Sequence, residues 1–206
     1  MSKNKPELAK LISSKPAGDS SKWIGLKKLT YQDPNGRVRE WESAERLTRS
    51  EGGVDGVGIL AILRYANKPD EILLQKQFRP PVEGVCIEMP AGLIDGGESI
   101  EIAALRELKE ETGYVGDIIN SSPIIFNDPG FTNTNLSLVT VIVDMSLPEN
   151  QNPVSELEEN EFIECFTVPL ASMAEEMAKL DKQGYKLDAR VQNVAQGIKI
   201  AQDFKL

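Results

Sequence analysis

The stretch Gly92 to Tyr114, GLIDGGESIEIAALRELKEETGY, decides how this chain is read. Ser99 suits a helix N-cap, Ile102, Leu105 and Leu108 recur at helical spacing, and Gly113 supplies a left-handed terminator, so the stretch predicts a helix from Ser99 to Thr112. At about 100° per residue, Glu107 and Glu111 fall one turn apart on one face with Glu110 beside them. Ile102, Leu105 and Leu108 are expected to turn toward the core, with the small residues Ala103 and Ala104 flanking the acids. Neighbouring helical carboxylates repel by about 0.2–0.5 kcal/mol per pair, and the C-terminal half of a helix disfavours anions. A bound divalent cation reverses that sign; without one, the run is a solvated acidic face. Arg106 is placed to pin a carboxylate, and Glu98 can fold back toward it.

Outward from this helix, composition narrows the chemistry. The 206 residues suffice for one globular domain, with 40% hydrophobic and 27% charged residues, close to average soluble usage. A net charge of -9 is the wrong sign for holding a polyanionic backbone, so no nucleic-acid partner is expected. The chain contains no histidine, which removes Ser-His-Asp and Cys-His activation and His-ligated metals together. Cys86 and Cys165 are too few for a four-Cys zinc site or a disulfide framework and suit a reducing compartment. Acid-base chemistry and metal binding must therefore rest on carboxylates, which favour hard ions such as magnesium or manganese. No apolar run is long enough to span a membrane and the first 22 residues lack a signal-type apolar stretch, so a cytoplasmic location is expected, with the nucleus as an alternative.

The flanking segments read as mixed α and β structure. Residues 1–22 are expected to be a mobile basic arm. From Trp23 the chain alternates, meets the turn Asp33-Pro34-Asn35-Gly36 and resumes as RVREWE, a β-hairpin within a 23–52 unit. Strands are expected at Gly58–Tyr65, Glu71–Phe78, Val85–Met89, Asp117–Phe126, Leu136–Asp144 and Glu161–Val168, and two amphipathic helices after Leu170. The main domain is taken as 53–206.

The spacing Gly92, Glu98, Arg106-Glu107-Leu108, Glu110-Glu111, Gly113 resembles the complete box of the Nudix hydrolases; Tyr114 stands where that pattern has an aliphatic residue. The resemblance implies an α/β/α sandwich around a mixed sheet, with an N-terminal β-hairpin subdomain, and Mg-dependent cleavage of a diphosphate. It implies two or more magnesium ions, or manganese, held by Glu107, Glu111 and the backbone carbonyl of Ala91, with Glu110 as a supporting or bridging ligand. Outside the box, Trp23-Ile24, WESAERLTR from Trp41, QFRPPVEGVCIEMPAGLIDGGE from Gln77, NDPG from Asn127 and NEFIE from Asn160 resemble the eukaryotic ADP-ribose (ADP-sugar) pyrophosphatase branch, with Pro129 at its marker proline.

That branch implies hydrolysis of ADP-ribose to AMP and ribose 5-phosphate by a homodimer with exchanged hairpins. Trp23 and Trp41 would sandwich the adenine, Arg46 and Arg79 would contact the diphosphate or adenosine side, and Glu88 and Asp128 would lie near the metal or terminal ribose. Each has a plainer alternative, as packing tryptophans, a surface arginine or fold-stabilising acids. Glu161 matches the mobile-loop glutamate that activates water, completing a catalytic set with Glu110 and Arg106, although Glu156, Glu158 and Glu159 are nearby rivals. A broader ADP-sugar or NADH pyrophosphatase, an oxidised-nucleotide hydrolase and a non-hydrolysing nucleotide sensor remain alternatives. The G-x-G-x-x-A run from Gly56 precedes a strand instead of joining strand to helix, which argues against a dinucleotide fold.

Overall fold

The computed structural model describes residues 5–10, 12–13, 21–49 and 52–206. Its centre is β3 (Gly56–Arg64), which pairs in parallel with β9 (Asn135–Asp144) and antiparallel with β4 (Glu71–Arg79). Helices cover both faces of this central strand, which is why GVGILAILR is almost continuously apolar. Alternate residues serve two layers. Val57, Ile59, Ala61 and Leu63 face α1 (Ile100–Thr112), and Leu60, with Ile72 and Leu74 of β4, faces α2 (Met173–Lys182) and α3 (Ala189–Phe204). The result is the expected α/β/α sandwich around a mixed sheet.

The main sheet runs β11-β5-β4-β3-β9-β7, where β5 is Gly84–Glu88, β7 is Asp117–Ser121 and β11 is Lys186–Leu187. Three further strands branch from this path: β10 (Ile163–Pro169) on β4, β6 (Ala91–Leu93) on β3, and β8 (Ile125–Phe126) on β9. The single strand expected over Asp117–Phe126 is thus two, because Pro123 has no N–H for the ladder and the register shifts between Ile118 and Asn120. The strand expected from Glu161 starts at Ile163, leaving Glu161 in the preceding loop.

β1 (Ile24–Gln32) and β2 (Val38–Arg46) form a separate two-stranded sheet whose turn is closed by Asp33, accepting from Asn35 N and Arg37 N at 2.9 Å each. Both faces are largely exposed. It meets the main body where Ala44 N donates to Phe131 O and Trp41 Nε1 to Gly130 O, each at 3.0 Å. The expected mobile arm is docked at its described portion. Pro6 is buried and Glu7 accepts from Tyr185 Oη at 2.9 Å; most of the remaining arm lies outside the described residues.

The carboxylate helix differs from expectation in the face it buries. Ala103, Ala104 and Leu108 are fully buried and Glu111 is 4% exposed, whereas Ile102 is 60% and Leu105 39% exposed. The physical reason is that α1 packs closely on β3 and β6 through its small residues, and this turns the acids at 107 and 111 inward over the edge of the sheet. Ile102 and Leu105 are left on the outer side.

Candidate active site

Gly92, in β6, lies under the helix. A Cβ built there would sit 1.9 Å from both Cδ and Oε1 of Glu107, so the carboxylate occupies the space a side chain would take. One turn on, Glu111 Oε2 accepts from Ala91 N at 2.9 Å. Burial pushes the Glu111 carboxyl up to about 8, outweighing that backbone bond, with the neighbouring Glu107 and Glu161 charges adding to the rise. Burial likewise raises Glu107, against the opposing pull of Arg106.

Arg106 acts as a clamp. Its guanidinium donates to Glu98 at 2.9 and 3.0 Å, to Glu107 and Glu110 at 2.9 Å each, and to Leu93 O at 3.1 Å. With three acids drawn to Arg106, no ready-made cage of three or more metal-ligating side chains exists among the described residues. The donor set nevertheless fits a hard divalent cation. Two partly or fully buried carboxylates lie side by side, both disfavoured in charged form by burial, and the buried amide of Gln75, beside Glu111, makes no well-formed hydrogen bond. A cation with its bound waters would relieve all three.

The loop after the short 3-10 turn Pro148–Asn150 reaches the same place. Gly113 (φ +77°) ends α1, and a Cβ on it would come within 2.3 Å of Val154 N, so only glycine lets the loop cross here. Glu156 N donates to Glu110 O at 2.7 Å, anchoring the loop on the helix end. Beyond that anchor, Glu158 and Glu161 close a small turn, and the Glu161 charge is felt at both Glu107 and Glu111.

Beside the acids is a cleft of about 250 Å³ lined by Arg46, Arg79, Arg190 and the Ala91–Leu93 strand. Arg79 is held by Glu88, donating from Nη2 at 2.7 Å and Nε at 3.0 Å, so Glu88 is a buried partner of that arginine. Asp128 shapes a turn, its carbonyl accepting from Phe131 N and Thr132 N. The two tryptophans are not brought together. Trp23 lines a separate cavity of about 950 Å³ with Arg49 and the Asp95–Ser99 loop, whereas Trp41 is tied to Gly130. Trp23 O accepts from Leu47 N, so Trp41 is six positions further along the hairpin, about 20 Å at 3.3 Å per residue.

Sequence reasoning missed Gln75, Asp188 and Arg190. Asp188 carries a legible signal as an N-cap before the apolar period of α3, but the cleft that Arg190 lines exists only after α3 is packed on the sheet.

A sandwich fold, buried helical acids over a glycine and an arginine-lined cleft define an enzyme that hydrolyses phosphate anhydrides with divalent metal ions. Family comparison gives the same class: the NUDIX domain profile matches residues 53–189, and the chain belongs to the Nudix hydrolase family. It is 70% identical over 207 residues to an ADP-ribose pyrophosphatase of Saccharomyces cerevisiae, covering 99% of this chain and 90% of that protein. It is 37% identical to an ADP-sugar pyrophosphatase of Mus musculus (88% and 84% covered) and 33% identical to an ADP-ribose pyrophosphatase of Bacillus subtilis (73% and 74%).

Proposed function

We propose that this chain hydrolyses ADP-ribose, with water, to AMP and ribose 5-phosphate. The observation that carries the reading is the pair of half-buried Glu107 and buried Glu111 at Gly92 and Ala91, beside the cleft of Arg46 and Arg79. A diphosphate is inert because its charge repels nucleophiles, and a site needs both cations and oriented water to cleave it. Glu107, Glu111 and the Ala91 carbonyl would hold the ions, two or more of magnesium or manganese, with Glu110 in support. When bound, such ions supply charge neutralisation and a more acidic water. Arg106 fixes the acids, Arg46 and Arg79 bind the diphosphate, Glu88 orients Arg79, and Glu161 takes the proton from water. Asp128 and its turn border the ribose.

The tryptophan separation favours a homodimer. A purine stacked between two indoles needs rings far closer than about 20 Å, so Trp23 of one subunit and Trp41 of the other are paired across exchanged hairpins. Exposed Leu26, Val38 and Tyr31 on a two-stranded sheet, which is marginal alone, support the same pairing. Both cysteines are free, in keeping with the cytoplasm. The test is AMP release from ADP-ribose with millimolar magnesium, against ADP-glucose, NADH and a nucleoside triphosphate. Preference for ADP-ribose supports the reading; equal use of all ADP-linked compounds makes the enzyme a broader pyrophosphatase, and binding without turnover makes it a sensor.

A further inference from the structure

Arg190 lies one residue beyond the matched Nudix segment, at the start of α3, yet its side chain reaches back into the cleft beside the acids. Asp188 holds it: Arg190 donates Nε and Nη2 to the two carboxylate oxygens at 2.8 and 2.7 Å, and its backbone N donates to the same group at 2.8 Å. Arg79, which lines the same cleft, repeats the arrangement, donating Nε and Nη2 to Glu88. In both guanidinium groups Nη1 has no hydrogen-bond partner among the described residues. The two cations are near enough to repel, and the carboxylate of Glu88 attracts both. Two carboxylate-braced arginines facing one small cleft, each with a donor to spare, make a site for a doubly negative group.

Gly58 explains how Arg190 gets there. Gly58 pairs with Ala91 across β3 and β6, and Arg190 Nη1 lies 3.7 Å from where a Gly58 Cβ would be. The guanidinium therefore rests over the β3 backbone next to the strand that carries Ala91 and Gly92. We propose that Arg190, braced by Asp188, is a substrate-binding residue that works with Arg79 to hold one phosphate of the diphosphate, and that Asp188 is a positioning residue acting through it. This deepens the proposed function and rests on its assignment of the cleft to a diphosphate.

Equilibrium binding of ADP without metal separates the two claims, because it reads the arginine cleft and not the reaction. Arg190→Gln is expected to weaken ADP at least tenfold and to raise KM for ADP-ribose by a similar factor, with kcat changed less than threefold. Arg190→Lys restores part of the binding, and Asp188→Asn raises KM more than it lowers kcat. Because Arg190→Gln strands Asp188, the double variant Asp188→Asn/Arg190→Gln is measured alongside it, with thermal unfolding as the control for folding. ADP affinity and KM within twofold of the parent in the folded variants overturn the assignment. Failure of the parent chain to cleave ADP-ribose while it still binds ADP overturns the proposed reaction and leaves Arg190 to be judged on binding.

Discussion

Glu111 carries two opposed requirements in one side chain. As a ligand it must be ionised, yet its surroundings hold it at about 8, so the metal-free protein keeps it largely protonated at neutral pH. A carboxyl raised in the folded state contributes stability that is fully present below its unfolded value of about 4.5 and is lost as pH rises through about 8. The metal-free protein is therefore expected to melt lower at pH 8.5 than at pH 6. Magnesium should remove most of that difference, and Glu111→Gln should flatten the metal-free curve. Thermal melts across pH, with and without magnesium, check this; a slope unchanged in Glu111→Gln contradicts it. Gly92 gives a second prediction at this scale. Gly92→Ala displaces only the flexible end of Glu107, so the fold is kept with a cost of about 1 kcal/mol, while turnover falls about a hundredfold or more. Unfolding midpoints and kcat, measured on the same preparation, separate the two effects.

At the scale of elements, α1 shows what a sequence reveals and what it conceals. Its limits were legible: Ser99 Oγ accepts from Ile102 N and Gly113 adopts the left-handed conformation, both local events written in local residue types. Its buried face was not, because a wheel ranks Ile102 and Leu105 as core residues and gives no credit to Ala103 and Ala104 for allowing close approach. The contacts that decide the matter come from β3 and β6, distant in sequence. Leu108→Ala should accordingly cost about 2–5 kcal/mol, whereas Ile102→Lys should change stability by less than about 0.5 kcal/mol. Denaturant midpoints test the pair, and a large loss from Ile102→Lys would mean that this face is covered. The acids at 107 and 111 were singled out by the resemblance of their spacing to the Nudix box. Arg190 was not, since its relation to Arg79 and Ala91 arises only when α3 and β6 are both in place. The short strands β6 and β11, three and two residues long, likewise owe their existence to neighbours and not to any pattern of their own.

For the whole molecule, the hairpin poses the question of assembly. The catalytic sandwich has its own double-faced core, while β1 and β2 hold most of their apolar residues out to solvent, with Trp23 just before the ribbon and Trp41 six positions along it. If adenine is shared between subunits, Trp23→Ala and Trp41→Ala chains each form dimers with both sites damaged. Mixing and refolding the two should restore about a quarter of the parental sites, because half of the random dimers are mixed and each mixed dimer has one intact pair. Activity titrated against the mixing ratio reads this directly, and no recovery would assign both tryptophans to one chain or to neither site. The central claim is simpler than the assembly: the buried acids of α1 perform a metal-dependent cleavage of a diphosphate. The most direct measurement is AMP release from ADP-ribose in magnesium by the parent chain and by Glu111→Gln, with a chelator control. Turnover by the parent that the chelator abolishes is expected, with a loss of about a thousandfold, or about 4 kcal/mol of barrier, in a Glu111→Gln protein that remains folded. Undiminished cleavage by that variant would contradict the claim.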